Sequence, residues 1–179
     1  MISLQKYTAF LLLLMMTSGL AFGQISVGIE FQAYPTGFIP GLRAELPLGT
    51  HSEASFRLGY QIIDHQDFGV QDDETGSGFG GTLGYRYYLK EARSGFFGGL
   101  RSDLWFNQID WETDGTTGQS NITVLQPTLE AGYRFWLGDN ISIAPALGFG
   151  VEWNVATNGA ETGQGAILLG GLSMVFGGK

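Results

Sequence analysis

Apolar and polar side chains alternate one by one through most of the chain after residue 24. In 25–34, Ile25, Val27, Ile29, Phe31 and Ala33 share one parity, and Ser26, Gly28, Glu30 and Gln32 share the other. In 53–63, Ala54, Phe56, Leu58, Tyr60 and Ile62 oppose Ser55, Arg57, Gly59 and Gln61. The pattern returns in 122–137, with Leu125, Pro127, Leu129, Ala131, Tyr133 and Phe135 against Gln126, Thr128, Glu130, Gly132 and Arg134. In 141–155, Ile143, Pro145, Leu147, Phe149, Val151 and Trp153 oppose Ser142, Gly148, Gly150, Glu152 and Asn154. Successive side chains of a β-strand leave on opposite faces, so a period of two marks strands with one apolar face. The spacing predicts eight of them, over 25–34, 41–47, 53–63, 79–89, 95–109, 122–137, 141–155 and 164–176. No stretch of helical period competes.

The connections alternate in length. Residues 48–52, 90–94 and 138–140 are short, whereas 64–78, 110–121 and 156–163 are longer and rich in Gly, Thr, Asn and Asp. The first connection, 35–40, is the weakest of the longer set. Short turns at one end, longer loops at the other and an even strand number is the plan of an outer-membrane barrel. That plan puts both termini and the short turns in the periplasm and the longer loops outside.

The first residues read as an address. Lys6 precedes the apolar run Ala9–Met16, and Ala21-Phe22-Gly23 places small residues at −3 and −1 of a cleavage site before Gln24. This is the tripartite pattern of a secretory signal peptide. The run is shorter than the roughly 20 residues of a spanning helix. The expected organisation is therefore a signal peptide over 1–23 and an outer-membrane β-barrel domain over 24–179. With no cysteine, disulfides, thiol nucleophiles and thiolate metal sites are excluded.

Parity does not say which face points inward, because a soluble lipocalin-like barrel shows the same alternation with the apolar face lining a cavity. Charge changes the picture. Only 15% of the chain is charged, against about 25% in an ordinary soluble domain. Every strand arginine falls on the polar face: Arg43, Arg57, Arg86, Arg101 and Arg134. Glu30, Glu45, Asp103, Glu130 and Glu152 share that face, and no lysine does. A balanced set of this kind reads as a packed lumen in which guanidinium groups pair with carboxylates. The opposite orientation in a membrane would expose each arginine to lipid at about 2–4 kcal/mol near the midplane. The fold class expected is all-β, an eight-stranded antiparallel up-and-down transmembrane β-barrel with its apolar face toward lipid. Phe97, Trp105 and Trp136 then point inward, while rings near strand ends, from Tyr34 and Tyr60 to Trp111 and Trp153, are the expected interfacial girdles.

With these residues in view, 24–176 resembles the small eight-stranded outer-membrane barrels of the OmpA, OmpX and OmpW type. Gly84-Tyr-Arg-Tyr-Tyr-Leu89 and Gly132-Tyr-Arg-Phe-Trp-Leu137 each run a strand into a short turn. Gly171-Leu-Ser-Met174-Val-Phe176 resembles the signal read by barrel-insertion machinery, with Gly171, Met174 and Phe176 as its marks. Leu169 and the trailing Gly177-Gly178-Lys179 depart from that pattern. The resemblance implies a monomer in contact with outer-membrane lipid and lipopolysaccharide, assembled by that machinery.

Chemistry is sparse. Gly76-Ser-Gly78-Phe-Gly80-Gly81 fits a dinucleotide-binding pattern, but that chemistry needs a helix N-terminus for the pyrophosphate, and a strand follows here. His51-Ser52 is similar to a hydrolase pair without a base partner, and Asp64-His65-Gln66-Asp67 resembles half of an omptin protease site. Asp64, Asp67, Asp72, Asp73 and Glu74 form an acidic stretch able to offer oxygen ligands to a divalent ion, though without the spacing of a known calcium loop. The net charge of −8 excludes nucleic acid, which needs a basic footprint. The expectation is a non-enzymatic protein without cofactor, acting structurally or through its extracellular loops with its lumen closed. The alternative is a narrow channel or hydrophobic-ligand conduit resembling OmpW.

Overall fold

The computed structural model describes residues 25–66 and 70–178, the side chain of His65 excepted. The leader assigned to 1–23 lies outside the described residues, as does Asp67.

Eight strands follow one another: β1 (Ser26–Tyr34), β2 (Gly37–Pro47), β3 (Ser52–Gln66), β4 (Asp73–Lys90), β5 (Ser94–Thr113), β6 (Thr116–Leu137), β7 (Ile141–Asn158) and β8 (Gly165–Phe176). Each pairs antiparallel with its sequence neighbours, and β1 closes on β8 from Val27–Phe176 to Ala33–Gly170, so the sheet is a closed barrel. Closure satisfies the edge groups that an open sheet leaves bare. The β6–β7 register passes over Pro127 and Pro145, as expected where a residue has no N–H to give the ladder.

One end, the near end, carries the start of β1, the end of β8 and the turns 48–51, 91–93 and 138–140. The far end differs from the sequence expectation. Residues expected as long loops, 64–78 and 110–121, are mostly strand: β3 and β4 pair up to Gln66–Asp73, and β5 and β6 up to Thr113–Thr116. The hairpin closes on Asp114 (φ 51°) and Gly115 (φ 74°). Two consecutive positive φ values are those of a type I′ turn, whose twist matches the strands it joins.

The interior is polar and the exterior apolar. Ser26, Glu30, Gln32, Arg43, Glu45, Arg57 and Arg101 are buried inside, while Val27, Ile29, Phe31, Leu42, Leu58 and Leu100 are exposed on the outside. Two rings of aromatics edge this belt. Phe31, Phe38, Tyr60, Phe79, Phe106 and Trp153 lie toward the far end, and Tyr85, Tyr87, Phe96, Tyr133, Phe135 and Phe176 toward the near end. Phe96 and Phe106 stand ten positions apart on β5. At about 3.3 Å per residue and a tilt near 40°, that is about 25 Å, the height of a lipid-facing band. Tyr34 is a correction: it turns inward, 9% exposed, and donates from its hydroxyl to Ile62 O at 3.1 Å.

Strand length makes the barrel uneven. β8, β1 and β2 have 12, 9 and 11 residues, whereas β5 and β6 have 20 and 22. The β5–β6 ribbon therefore continues beyond Phe106 for about 23 Å along the strand.

Candidate functional site

The lumen holds the only dense array of charged side chains among the described residues. Glu30 on β1 meets Arg43 of β2 at 2.5 Å, Arg57 of β3 at 3.0 Å and Arg101 of β5 at 3.4 Å. Asp103 binds Arg57 at 2.8 Å and Arg101 at 2.5 Å, and it accepts from the Thr82 hydroxyl. Arg43 continues to Glu45 at 2.7 Å. Arg134 of β6 joins Glu45 at 2.7 Å to Glu53 at 2.6 Å, and Arg86 of β4 grips Glu130 at 2.7 and 3.1 Å. Arg86 also approaches Glu45 at 3.9 Å. These contacts make one connected web across β1 to β6, with as many carboxylates as guanidinium groups. Burying charge is costly unless each ion is paired and hydrogen-bonded. Neutrality and mutual contact meet that condition here.

Rings bound the web. Arg57 sits 5.4 Å from the centre of the Trp105 ring, Arg86 lies 4.5 Å over Phe97, and Arg134 lies 4.8 Å over Tyr88. Guanidinium over an aromatic face is attractive, the more so where water is excluded. Toward the far end, Trp105 heads an apolar layer with Ile39, Ile63, Ile109, Ile122, Val124, Ile167 and Leu169. Two glycines of the dinucleotide-like run explain its packing. A Cβ on Gly80 would collide with Trp105 Cε3, and one on Gly78 would collide with Asn107 Oδ1. These glycines leave room for lumen-filling side chains and stand within β4, with no helix behind them. Between the web and the small side chains of β7 and β8, a cavity of only about 10 Å³ is left.

Of the charged residues that parity assigns inward, Glu152 stands apart. It lies on β7, makes no ion pair with the described residues, and faces a separate cavity near the far end. Its place in the web is taken by Glu53, which sequence reading passed over at the edge of a strand. Glu53 shares the parity of Ser55 and Arg57, and that signal was available. Gln32 and Tyr88 join as well: Gln32 Oε1 accepts from Arg57 at 2.6 Å and Arg101 at 3.1 Å, and the Tyr88 hydroxyl donates to Glu53 at 2.7 Å. The acidic stretch is dispersed rather than gathered. Asp73 and Glu74 leave β4 on opposite faces, Asp72 accepts from Asp114 N at 3.1 Å, and Asp64 is exposed. Among the described residues no group of three or more His, Asp or Glu is arranged to hold a metal ion. His51 Nδ1 donates to Tyr88 O at 2.9 Å, at the near end. In β8, Gly171 faces inward beside Gln32, Met174 is half-buried, and Phe176 is exposed on the outer surface.

Closed order β1 to β8, an apolar belt between two aromatic rings and a charge-filled lumen are the observations that comparison with solved structures meets. The N-terminal β-barrel domain of Pseudomonas aeruginosa OprF matches over 86% of this chain and 96% of its own, with 16% identity and a TM-score of 0.53. The chain has the fold of a small eight-stranded outer-membrane barrel. Ail, the attachment invasion locus protein of Yersinia pestis, matches over 86% and 95% with 11% identity and a TM-score of 0.50. A second Ail structure, in complex with the heparin analogue sucrose octasulfate, matches over the same shares with 10% identity and a TM-score of 0.51. No protein-family model and no curated protein sequence matches the chain.

Proposed function

We propose that the chain is a non-enzymatic protein of a Gram-negative outer membrane, with a structural or surface-interaction role carried by its far end, and with its lumen closed to solutes. On this reading residues 1–23 are a leader, Gly171, Met174 and Phe176 signal insertion, and the near-end turns face the periplasm. The barrel sits as a monomer among outer-membrane lipid and lipopolysaccharide. The observation that carries the proposal is the inversion of polarity: side chains exposed on the belt are aliphatic or aromatic, while Arg43, Arg57, Arg86, Arg101 and Arg134 are buried inside. In water that arrangement would leave a continuous apolar surface far above the few hundred Å² a soluble monomer tolerates. The packed web supports a closed lumen, since an eight-stranded barrel encloses little more than its own side chains.

The far end also has a distinctive charge. Acids stand at Asp64, Asp72, Asp73, Glu74, Asp110, Glu112, Asp114, Glu152 and Glu161, and no Lys or Arg occurs between 58 and 85, 102 and 133, or after 134 until Lys179. The chain's excess of negative charge is thus an outward one. It favours cationic partners, in contrast to the anionic ligand held by Ail.

Two measurements test the proposal. Purified protein is run in SDS with and without boiling, and its conductance is recorded in a planar bilayer. A compact, faster-migrating unboiled band from the membrane fraction and an absence of stable channels are expected. A heat-insensitive protein recovered from the soluble periplasm overturns the membrane assignment, and steady unitary currents overturn the closed lumen.

A further inference from the structure

Beneath the far mouth lies a second interior space, separated from the charge web by the Trp105 layer. The segment 159–164, between β7 and β8, crosses above it and is fastened to three other elements. Gly163 N donates to Glu74 Oε1 at 3.4 Å, Gln71 Nε2 donates to Glu161 O at 3.0 Å, and Ser120 Oγ donates to Ala160 O at 2.8 Å. Thr162, within this strap, is buried and lines the space. The space below measures about 140 Å³ and is lined by Gln61, Glu74, Asn107 and Glu152 on its polar side and Ile63, Ile109 and Ile122 on its apolar side. Thr36, Glu152 and Gln164 are partly exposed, so the space communicates with the exterior.

One buried acceptor in this space, Asn107 Oδ1, is left without a partner among the described residues. Asn107 Nδ2 donates to Gln61 Oε1 at 2.9 Å, Gln61 Nε2 donates to Tyr34 Oη at 3.0 Å, and Tyr34 Oη donates to Ile62 O. This relay fixes the orientation of the Asn107 amide, with Nδ2 toward Gln61 and Oδ1 at the end left without a partner. Asn107 is 96% buried, since only 4% of it is exposed, and its Oδ1 has no partner among the described residues. A buried unsatisfied acceptor costs free energy, and so calls for a donor from elsewhere. Glu152 adds a carboxylate with no cation beside it, and no Lys, Arg or described His lines the space. The acidic rim above raises the local concentration of cations, because low-dielectric walls focus the field of like charges.

We propose that this cavity binds a small aliphatic ammonium ion. The cationic head donates to Glu152 and to Asn107 Oδ1, and its methylenes lie against Ile63, Ile109 and Ile122. A volume of 140 Å³ holds about four or five groups of water size, at about 30 Å³ each in the liquid. That fits one ammonium head with a chain of about four carbons, beyond which a longer molecule continues through the open side. An ammonium ion satisfies several acceptors with its three donors. A bare divalent ion is less well suited, because no three or more Asp, Glu or His among the described residues are arranged to hold a metal. The site belongs to the interior and does not depend on whether the outer ribbon has a protein partner.

The experiment is calorimetric titration of the folded full-length mature protein in non-ionic detergent at low ionic strength, with 1,4-diaminobutane as probe. Propan-1-ol serves as neutral control and calcium chloride as the metal alternative. Saturable binding of the diamine in the millimolar range or tighter is expected, with none of the alcohol. Glu152→Gln is expected to weaken it about tenfold or more, the loss of a charge-assisted hydrogen bond. Ile122→Phe, which fills the apolar side, is expected to weaken it as well, and serves as the deciding variant if Glu152→Gln lowers the folded yield. Unboiled gel migration checks that each variant is folded. No saturable diamine binding to the wild-type protein, equal binding to folded Glu152→Gln and Ile122→Phe, or calcium binding that the diamine does not displace would each overturn the site. None of these outcomes bears on the conductance or heat-modification results above.

Discussion

Replacing Arg134 with Met tests whether the interior is held by paired charge or merely by crowding. Arg134 donates to Glu53 at 2.6 and 2.9 Å and to Glu45 at 2.7 and 2.8 Å, with its side chain 1% exposed. Methionine keeps much of the stem and removes the charge. Glu45 then retains Arg43 at 2.7 Å, but Glu53 retains only the Tyr88 hydroxyl and a guanidinium, that of Arg43, 3.8 Å away. Removing one partner of a buried pair costs about 3–5 kcal/mol when the other is left so exposed electrically. Arg101→Met is the internal comparison. Asp103 keeps Arg57 and Thr82, and Glu30 keeps Arg43 and Arg57, so the loss should be nearer 1–3 kcal/mol, about that of a hydrogen bond to a charged group. The assay is equilibrium denaturation of the refolded barrel in detergent micelles, followed by tryptophan fluorescence and by unboiled gel migration. Equal midpoints for wild type and both variants, or a larger loss for Arg101→Met, would refute the reasoning. Adding Glu53→Gln to Arg134→Met should restore part of the loss, because it removes the orphaned charge.

Trp105→Ala removes a fully buried indole that caps Arg57 and should cost about 3–5 kcal/mol, read as a lower denaturant midpoint. Gly80→Val aims a branched side chain at that same indole, where even a Cβ would collide with a ring carbon, and the compact unboiled band should be lost. Leu83→Arg places a charge on the outward belt, at a position 68% exposed and midway between the two aromatic rings. In lipid it should cost about 2–4 kcal/mol, measured by refolding into vesicles. A variant as stable as wild type there would mean that this face does not meet lipid.

Strand number and face were readable because each strand carries both a packed and a lipid-type surface across the belt, and alternation is how a strand records two environments. Above the belt the outward positions need not be apolar, so the period of two fades at Asp64, Thr75, Asp110 and Gln119 although pairing continues. Those hairpin extensions looked like loops for that reason. The partner strand and the Asp114-Gly115 turn, not local composition, hold them in register. Glu152 shows a second limit. Parity gives the side of the sheet but not the height along the barrel, which depends on tilt and on the stagger between strands. Glu130 on β6 and Glu152 on β7 have the same inward parity, yet one meets Arg86 and the other an acceptor-rich cavity on the far side of Trp105. Glu53 was missed because alternation was read from Ala54 onward, inside the strand rather than at its edge. Tyr34 was misread because an aromatic at a strand end looks alike whether it faces lipid or lumen.

The pairing of β1 with β8 gives the molecule an all-or-none topology. Val27 and Phe176 touch across nearly the whole length of the chain, and no hairpin, however well formed, substitutes for that one seam. Until β8 is in place, β1 and β7 are two bare edges of a curled ribbon, each a template for any strand that passes. Joining them closes a loop the size of the domain. Its entropic cost grows only with the logarithm of length, but it has to be met before the contacts that repay it can form. Loss of the final strand would therefore not yield a slightly shorter barrel. It would yield an adhesive sheet, so the twelve residues of β8 act for the whole wall as the keystone does for an arch.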